Sequence, residues 1–131
     1  LCVLRCTEKN SLIIDAYNAN PSSMDAALTN FSHIEAGHKV VMLGDMLELG
    51  QDSLNEHIRI IKMAQDLDLD KICLVGSEFE KACSETDPDN VISFKTSSDL
   101  AVWLKENPID GSMILIKGSR GTKMENIIES L

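Results

Sequence analysis

The sequence contains no apolar run approaching the roughly 20 residues that a membrane-spanning helix needs. Its first residues also lack a basic region followed by a long apolar stretch, so we expect no signal peptide. The 131 residues are enough for one domain with its own core. Because the chain opens on Leu1 and not on a methionine, we expect a fragment of a longer protein.

An excess of positive charge is absent as well. The net charge of −9 comes with no basic stripe, which argues against a nucleic acid or an anionic membrane as partner. A phosphate ligand remains compatible with this charge, because local dipoles and a few lysines can hold one on an acidic protein.

Cysteine pairs of the CxxC kind are missing, and no histidine stands near a cysteine at metal-ligand spacing. Cys2, Cys6, Cys73 and Cys83 are therefore expected to be reduced thiols in a cytoplasmic protein. Cys73 lies in a strand-like run and is expected in the core. No metal site is predicted within this chain.

Two catalytic signatures are also absent. The phosphate-cradling loop GxxxxGK(S/T) occurs nowhere in the chain. No G-x-S-x-G elbow and no Ser/His/Asp set can be identified from spacing. The domain is therefore expected to carry neither the main ATP cradle nor a nucleophile–base set.

Apolar runs and helical periodicity alternate along the whole chain. The pattern predicts strands at 2–7, 12–16, 39–43, 71–75, 91–94 and 112–116, and helices near 20–34, 53–67, 78–84, 97–106 and 122–131. Strands and helices in near-strict alternation predict an α/β fold with helices on both faces of a mostly parallel sheet. Only the first hairpin is expected to be antiparallel.

Each helix start has a candidate cap except the third. Asn20 suits an N-cap, with Pro21 at the first helical position. The other candidates are hydroxyl residues, two of them with a glutamate three residues on: Ser53 with Glu56, Ser97 or Ser98, and Thr122 with Glu125.

Three loops follow predicted strands, at 15–23, 44–50 and 117–122. Since the carboxyl ends of parallel strands share one edge of a sheet, these loops are expected to converge on one ligand. The first loop also leads into a helix, whose N-terminal N–H groups and partial positive charge favour an anion such as phosphate.

The first loop offers Asp15, Asn18 and Asn20 as polar candidates. Asp15 either caps a turn or helix, or accepts a hydrogen bond from a sugar hydroxyl or a metal-bound water. Asn18 and Asn20 can each donate and accept, which suits a phosphate or amide ligand. Both amides are equally typical of turns and N-caps.

The third loop combines Lys117, Ser119 and Arg120 with Gly118 and Gly121. Glycines let the backbone approach a ligand closely, and the basic side chains supply positive charge. Arg120 can grip a carboxylate through two hydrogen bonds. The alternative is a solvated basic loop.

In the second loop, Asp45 and Glu48 are either metal or substrate ligands or solvated acids. The apolar residues at 46, 47 and 49 cannot all be buried in so short a loop, so some are expected to pack against another domain or a substrate. His57 lies near the buried stripe of the following helix, where a partly buried structural histidine is the simpler interpretation.

Three segments together carry a family resemblance: DAYNANPSSM at 15–24, LGDMLELG at 43–50 with His57 downstream, and KGSR at 117–120 with Met124 and Glu125. In this order and spacing they resemble the C-terminal domain of the Mur ligases, over essentially the whole chain. The second and third segments resemble most the branch that adds D-Ala-D-Ala to UDP-N-acetylmuramoyl-tripeptide.

The resemblance implies a Rossmann-like, three-layer domain with a six-stranded sheet, taken from a three-domain enzyme of the bacterial cytoplasm. It implies ATP and Mg²⁺ as cofactors, held mainly by a central domain outside this chain. The implied reaction forms an amide bond through an acyl phosphate, for peptidoglycan precursor synthesis. The isolated domain is expected to be inactive.

The resemblance also implies roles for particular residues, carried over position by position. For contact with ATP they are Asp15, Tyr17, Asn18 and Asn20. For D-Ala-D-Ala they are Lys117, Gly118, Ser119 and Arg120, together with Asp45, Glu48 and His57.

Two other classes of protein share the strand–helix alternation. A signalling receiver domain would also have a late strand-end lysine such as Lys117, but it calls for an acid pair after the first strand and Lys-Pro where this chain has Lys117-Gly118. A non-catalytic, flavodoxin-type nucleotide-binding or interaction module is the other alternative.

Overall fold

The computed structural model describes residues 3–15, 18–86 and 88–131, and places six strands in one sheet. They are β1 (Val3–Cys6), β2 (Ser11–Asp15), β3 (Lys39–Gly44), β4 (Lys71–Val75), β5 (Val91–Phe94) and β6 (Met113–Lys117). The spatial order is β1-β2-β6-β3-β4-β5, with β1 antiparallel to β2 and all other pairs parallel. The predicted α/β fold class is confirmed. Tyr17 and Cys2, named in the sequence analysis, lie outside the described residues.

The five predicted helical segments are present. Four are α-helices, namely α1 (Pro21–Ser32), α2 (Ser53–Gln65), α3 (Ser77–Thr86) and α4 (Ser97–Glu106). The fifth is a 3₁₀ helix, Met124–Ser130, and shorter 3₁₀ turns cover Gly50–Asp52 and Arg120–Thr122. Lys123 adopts a left-handed backbone, with φ 51° and ψ 48°, so the last two helical segments are separate. No helix in the described part of the chain is long and apolar enough to cross a membrane.

The predicted start of α1 is confirmed and that of α4 is shifted by one residue. The Ser23 N–H donates to Asn20 Oδ1 at 2.9 Å, and the Asn20 N–H donates to Ser23 Oγ at 3.0 Å. For α4 the cap is Thr96, whose hydroxyl oxygen accepts from the Asp99 N–H at 3.1 Å. Three hydroxyl residues in a row can all cap, and the extended backbone at Thr96 decides between them.

The other two predicted caps, Ser53 with Glu56 and Thr122 with Glu125, are wrong. Ser53 lies inside α2, and its hydroxyl donates to Glu78 at 2.8 Å. Thr122 donates to the Ser119 carbonyl at 2.7 Å, so it closes the preceding loop and does not begin the last helix. In both places a tertiary or loop partner takes the hydroxyl that local spacing assigns to a cap.

Strand alternation divides the core between the two faces of the sheet. Side chains such as Ile13, Val41 and Leu115 pack beneath α1, α2 and α3. Their sequence neighbours, such as Leu12, Val40 and Ile114, pack on the other face with α4 and the last 3₁₀ helix. Successive residues of a strand point to opposite faces, so fully covered strands read as continuous apolar runs.

The strand order places a topological switch point, called the crevice below, at the carboxyl end of β6. The chain leaves β2 and β3 toward α1 and α2 on one face, whereas it leaves β6 toward the last 3₁₀ helix on the other. Neighbouring strands whose connections diverge in this way leave an open groove, where ligands of open α/β sheets bind. The three loops singled out from the sequence surround this position.

Candidate functional site

The three strand-exit loops meet at one edge of the sheet, as predicted. Lys117 at the end of β6 is the register partner of Asp15 on one side and of Leu43 on the other. Beyond the strands, the Ser119 N–H donates to the Asp45 carbonyl at 3.2 Å. The loops after β2, β6 and β3 therefore lie side by side.

Lys117 joins the first loop to the third. Its side chain is 1% exposed, and its Nζ donates to Asp15 Oδ2 at 2.7 Å and to the Asn18 carbonyl at 2.9 Å. The Asp15 side chain is 23% exposed and remains at the surface of the crevice. The lysine thus lies beneath the loop and the aspartate at its rim.

The amides of the first loop are both exposed. The Asn20 side chain caps α1, which confirms its structural interpretation. The first turn of α1, at the end of the first loop, is therefore capped and ordered. A contact of Asn18 or Asn20 with a nucleotide stays a prediction, and Tyr17 lies outside the described residues.

Ser119 is a buried hydroxyl without a hydrogen-bond partner among the described residues. The residue is 8% exposed, and the next residue, Arg120, is exposed on the same loop. An unpaired buried hydroxyl is costly, because it has left water without replacing that hydrogen bond. The orphaned hydroxyl beside a basic side chain is the feature of this loop that most directly calls for a ligand.

Close backbone packing explains Gly118. A Cβ added there would lie 2.7 Å from Thr122 Oγ1 and 3.0 Å from the Gly44 Cα. A side chain at this position would therefore push the third loop away from the end of β3. The positions of Gly44 and Thr122 in this contact were not found from the sequence, because no local pattern signals a contact between two strand ends.

Asp45 is buried and not a solvated acid. Its carboxylate accepts the backbone N–H groups of Glu78 at 3.0 Å and Phe79 at 2.9 Å, so it caps the N-terminus of α3. Burial raises the pKa of Asp45, and the two N–H donors and nearby His57 offset part of that rise. A carboxylate held in this way is a structural residue, and the substrate contact predicted for Asp45 gains no support from its surroundings.

His57 is the structural histidine that the sequence favours, and it is fully buried. The Met46 N–H donates to its Nε2 at 3.0 Å, and its Nδ1 lies 2.7 Å from the Ser53 carbonyl. Nε2 is therefore the accepting ring nitrogen, and Nδ1 is the one that faces the Ser53 carbonyl. The ring also meets Phe79 edge-on, with centroids 4.6 Å apart. His57 therefore anchors the second loop to α2 and does not face the crevice.

The apolar residues of the second loop divide as expected. Met46 is buried in this domain, whereas Leu47 is 46% exposed. Leu47 lies against the third loop, since a Cβ on Gly121 would be 3.1 Å from its Cδ1. Glu48 is exposed and has a left-handed backbone with φ 64°. Leu47 and Glu48 are thus presented at the same edge as Arg120.

Within residues 3–15, 18–86 and 88–131, no group of three or more His, Cys, Asp or Glu side chains could hold a metal ion.

Comparison with known proteins gives one consistent picture. Residues 3–120 match the family model described as Mur ligase, glutamate ligase domain. A UDP-N-acetylmuramoyl-tripeptide–D-alanyl-D-alanine ligase of Bacillus subtilis is 36% identical over 126 residues, which are 92% of this chain and 28% of that ligase. The corresponding ligase of Escherichia coli is 29% identical over 130 residues, or 98% of this chain and 28% of its own length.

Solved structures agree. The crystal structure of MurF from Acinetobacter baumannii superposes with a TM-score of 0.84 and 30% identity, covering 98% of this chain and 29% of that one. A MurF ligase from Thermotoga maritima in complex with ADP has a TM-score of 0.79 at 22% identity, covering 97% and 29% of the two chains, and supports the fold. The chain thus spans somewhat over a quarter of the length of the ligases that it matches.

Proposed function

This chain belongs to the Mur ligase, glutamate ligase domain family, and we propose that it is the C-terminal domain of a bacterial cytoplasmic ligase that joins D-Ala-D-Ala to UDP-N-acetylmuramoyl-tripeptide using ATP. The similar ligases carry this activity in their names, and the chain covers about 28% of the length of each. Membership in the family replaces the receiver and flavodoxin-type alternatives. The remaining domains, and the Mg²⁺ that they would hold, lie outside this chain.

The proposal depends on one observation: the loop after β2, proposed to bind the nucleotide, lies beside the loop after β6, proposed to bind the dipeptide carboxylate. In the proposal Asp15, at the end of β2, accepts a ribose hydroxyl, and the N-terminus of α1 takes phosphate. The buried hydroxyl of Ser119 and the guanidinium of Arg120, after β6, are proposed to hold the dipeptide carboxylate. Adjacent strands lie about 4.8 Å apart, so the two loops can serve one reaction centre.

The chemistry of the proposed reaction needs this proximity. The tripeptide carboxylate takes the γ-phosphoryl group of ATP, ADP leaves, and an acyl phosphate forms. The dipeptide amine then attacks the acyl carbon, and phosphate and a proton are released as the amide forms. Holding the amine close to the acyl carbon can contribute about 7–11 kcal/mol. A domain that carries the dipeptide and closes over the nucleotide also excludes water, which would otherwise hydrolyse the acyl phosphate.

The second loop has a supporting part in this proposal. Asp45 and His57 are turned inward and hold the loop to α3 and α2. Leu47 and Glu48 are exposed beside the third loop and are the members of this segment that can contact the dipeptide or a neighbouring domain.

The proposal is tested in the full-length protein by measuring phosphate release with ATP, UDP-N-acetylmuramoyl-tripeptide and D-Ala-D-Ala. We expect release to require all three substrates. Arg120→Ala should raise the KM for D-Ala-D-Ala by about tenfold and leave the KM for ATP within about twofold, because the proposal assigns the guanidinium to the dipeptide carboxylate and not to the nucleotide.

Lys95→Ala is the matched control, since Lys95 is an exposed basic residue that follows β5, an outer strand of the same sheet. It should change neither KM. Equal increases in both KM values for Arg120→Ala would remove the dipeptide role of the third loop, and phosphate release independent of D-Ala-D-Ala would remove the proposed reaction.

A further inference from the structure

One ion pair joins the two halves of the proposed site. Asp15 and Lys117 are the last residues of β2 and β6 and are direct partners in the parallel register. Two residues earlier, Ile13 and Leu115 point into the core beneath α1. By the two-residue alternation of strands, Asp15 and Lys117 point to that same face.

The lysine in this pair is placed beneath the loop and not toward a ligand. Its side chain is 1% exposed, so almost none of the ammonium is accessible from the crevice. Two of its three N–H groups are accounted for by Asp15 Oδ2 and the Asn18 carbonyl. Burying a lysine is unfavourable unless its charge is paired and hydrogen-bonded, and here both conditions are met.

Both of the acceptors belong to the segment that leads from β2 into α1. Asp15 begins this segment, and Asn20 ends it as the cap of α1. The ammonium therefore holds the Asp15 side chain and the Asn18 backbone carbonyl. It also places a positive charge against the carboxylate, which lowers the repulsion that Asp15 would exert on an anionic nucleotide.

Resting on the proposed function, we propose that Lys117 is a positioning residue for the nucleotide and does not bind the dipeptide. It holds Asp15 and the Asn18 carbonyl where the ribose and phosphates arrive, although it belongs to the loop whose next residues face D-Ala-D-Ala. The KGSR segment thus serves both substrates, with the lysine acting on the nucleotide through Asp15 and the serine and arginine acting on the dipeptide.

The test is a comparison of KM values in the full-length enzyme. Lys117→Met keeps most of the aliphatic stem and removes both hydrogen bonds, so we expect the KM for ATP to rise by about tenfold, because displacing a contact by 1 Å can cost up to about 100-fold. The KM for D-Ala-D-Ala should stay within about twofold. Lys105→Met, on the exposed side of α4, is the matched control and should change neither value.

A double-mutant cycle adds a readout that a purely structural role would not move. Because part of the effect of Lys117 acts through Asp15, Asp15→Asn combined with Lys117→Met should raise the KM for ATP by less than the product of the two single effects. Independent effects of the two substitutions would multiply instead. Lys117→Arg, which keeps the charge and the donors, should restore part of the loss, and it also serves as the test if Lys117→Met does not fold.

Three outcomes overturn the inference: a rise in the KM for D-Ala-D-Ala, no change in either KM, or multiplied effects in the double variant. Each is read against a wild-type enzyme with the proposed activity. If the wild-type protein itself fails to release phosphate in a D-Ala-D-Ala-dependent way, the proposed function fails. If the wild type is active and only the expected pattern is missing, the role of Lys117 fails alone.

Discussion

Replacing Asp45 by alanine removes the acceptor of two backbone N–H groups in the first turn of α3, those of Glu78 and Phe79. Losing a helix cap costs about 0.5–2 kcal/mol. Leaving a second buried donor unpaired adds about 1–3 kcal/mol. Since Asp45 is only 4% exposed, water cannot readily replace the carboxylate. We therefore expect Asp45→Ala to lower the free energy of unfolding by about 2–4 kcal/mol.

Replacing Asp45 by asparagine tests the two hydrogen bonds separately, because asparagine can still accept one of the two backbone N–H groups. Asp45→Asn keeps one carbonyl oxygen and should lose about 1–2 kcal/mol. The assay is equilibrium unfolding of the 131-residue domain in urea, followed by circular dichroism. Asp110→Ala is the control, because Asp110 is exposed and its side chain has no hydrogen bond with another described residue. It should change stability by less than about 0.5 kcal/mol.

The pH dependence has a defined sign. Burial raises the pKa of Asp45 above its ordinary value of 3.8, so the folded protein binds that proton more tightly than the unfolded chain. The contribution of this carboxyl to stability is therefore present below the ordinary value and is lost as pH rises through the raised one. The free energy of unfolding of the wild type, relative to that of Asp45→Asn, should therefore fall as pH rises from the ordinary pKa of Asp45 through its raised pKa.

Two results would contradict these expectations. A loss below about 0.5 kcal/mol for Asp45→Ala would show that the two N–H bonds do not stabilise α3. Unchanged stability together with a higher KM for D-Ala-D-Ala in the full-length enzyme would restore Asp45 as a substrate ligand.

Further predictions concern one glycine and the cysteines. Gly76→Ala should cost about 2 kcal/mol or more, because φ is +118° and a Cβ would overlap the Asp45 carboxylate; a thermal melt within a degree of the wild type would refute the overlap. Burial raises the pKa of the Cys73 thiol to about 12, so iodoacetamide at neutral pH should leave Cys73 unmodified and label exposed Cys6. Equal labelling of both in peptide maps of the folded protein would show that the β4 core opens.

Strands and most helix positions were accessible to sequence reasoning because their signals are local. The runs at 71–75 and 91–94 match β4 and β5 residue for residue. Asn20 followed by Pro21 marks the start of α1 because the cap bonds to a residue only three positions away. Signals of this kind need no knowledge of the rest of the fold.

Predictions failed where a local pattern competes with a distant partner. Ser53 has the spacing of a capping box, but Glu78, 25 residues further on, takes its hydroxyl. Asp45 looks like a loop acid, yet the first turn of α3 turns it inward. The fifth helix was placed correctly by its apolar face, whereas its 3₁₀ geometry and the left-handed Lys123 were not foreseen.

The amino-acid sequence alone predicted the fold class, the convergence of three loops at one edge of the sheet, and the family. Periodicity and motif spacing can be read from the sequence without the tertiary structure. Which side chains of those loops are paired or buried depends on the tertiary structure. Lys117 contacts Asp15 only because β2 and β6 are adjacent in the sheet, although almost the entire chain separates them in sequence. Charge and burial act through distance in space, so Lys117, which the sequence suggests as a ligand-binding residue, is buried and paired with Asp15 in the folded protein.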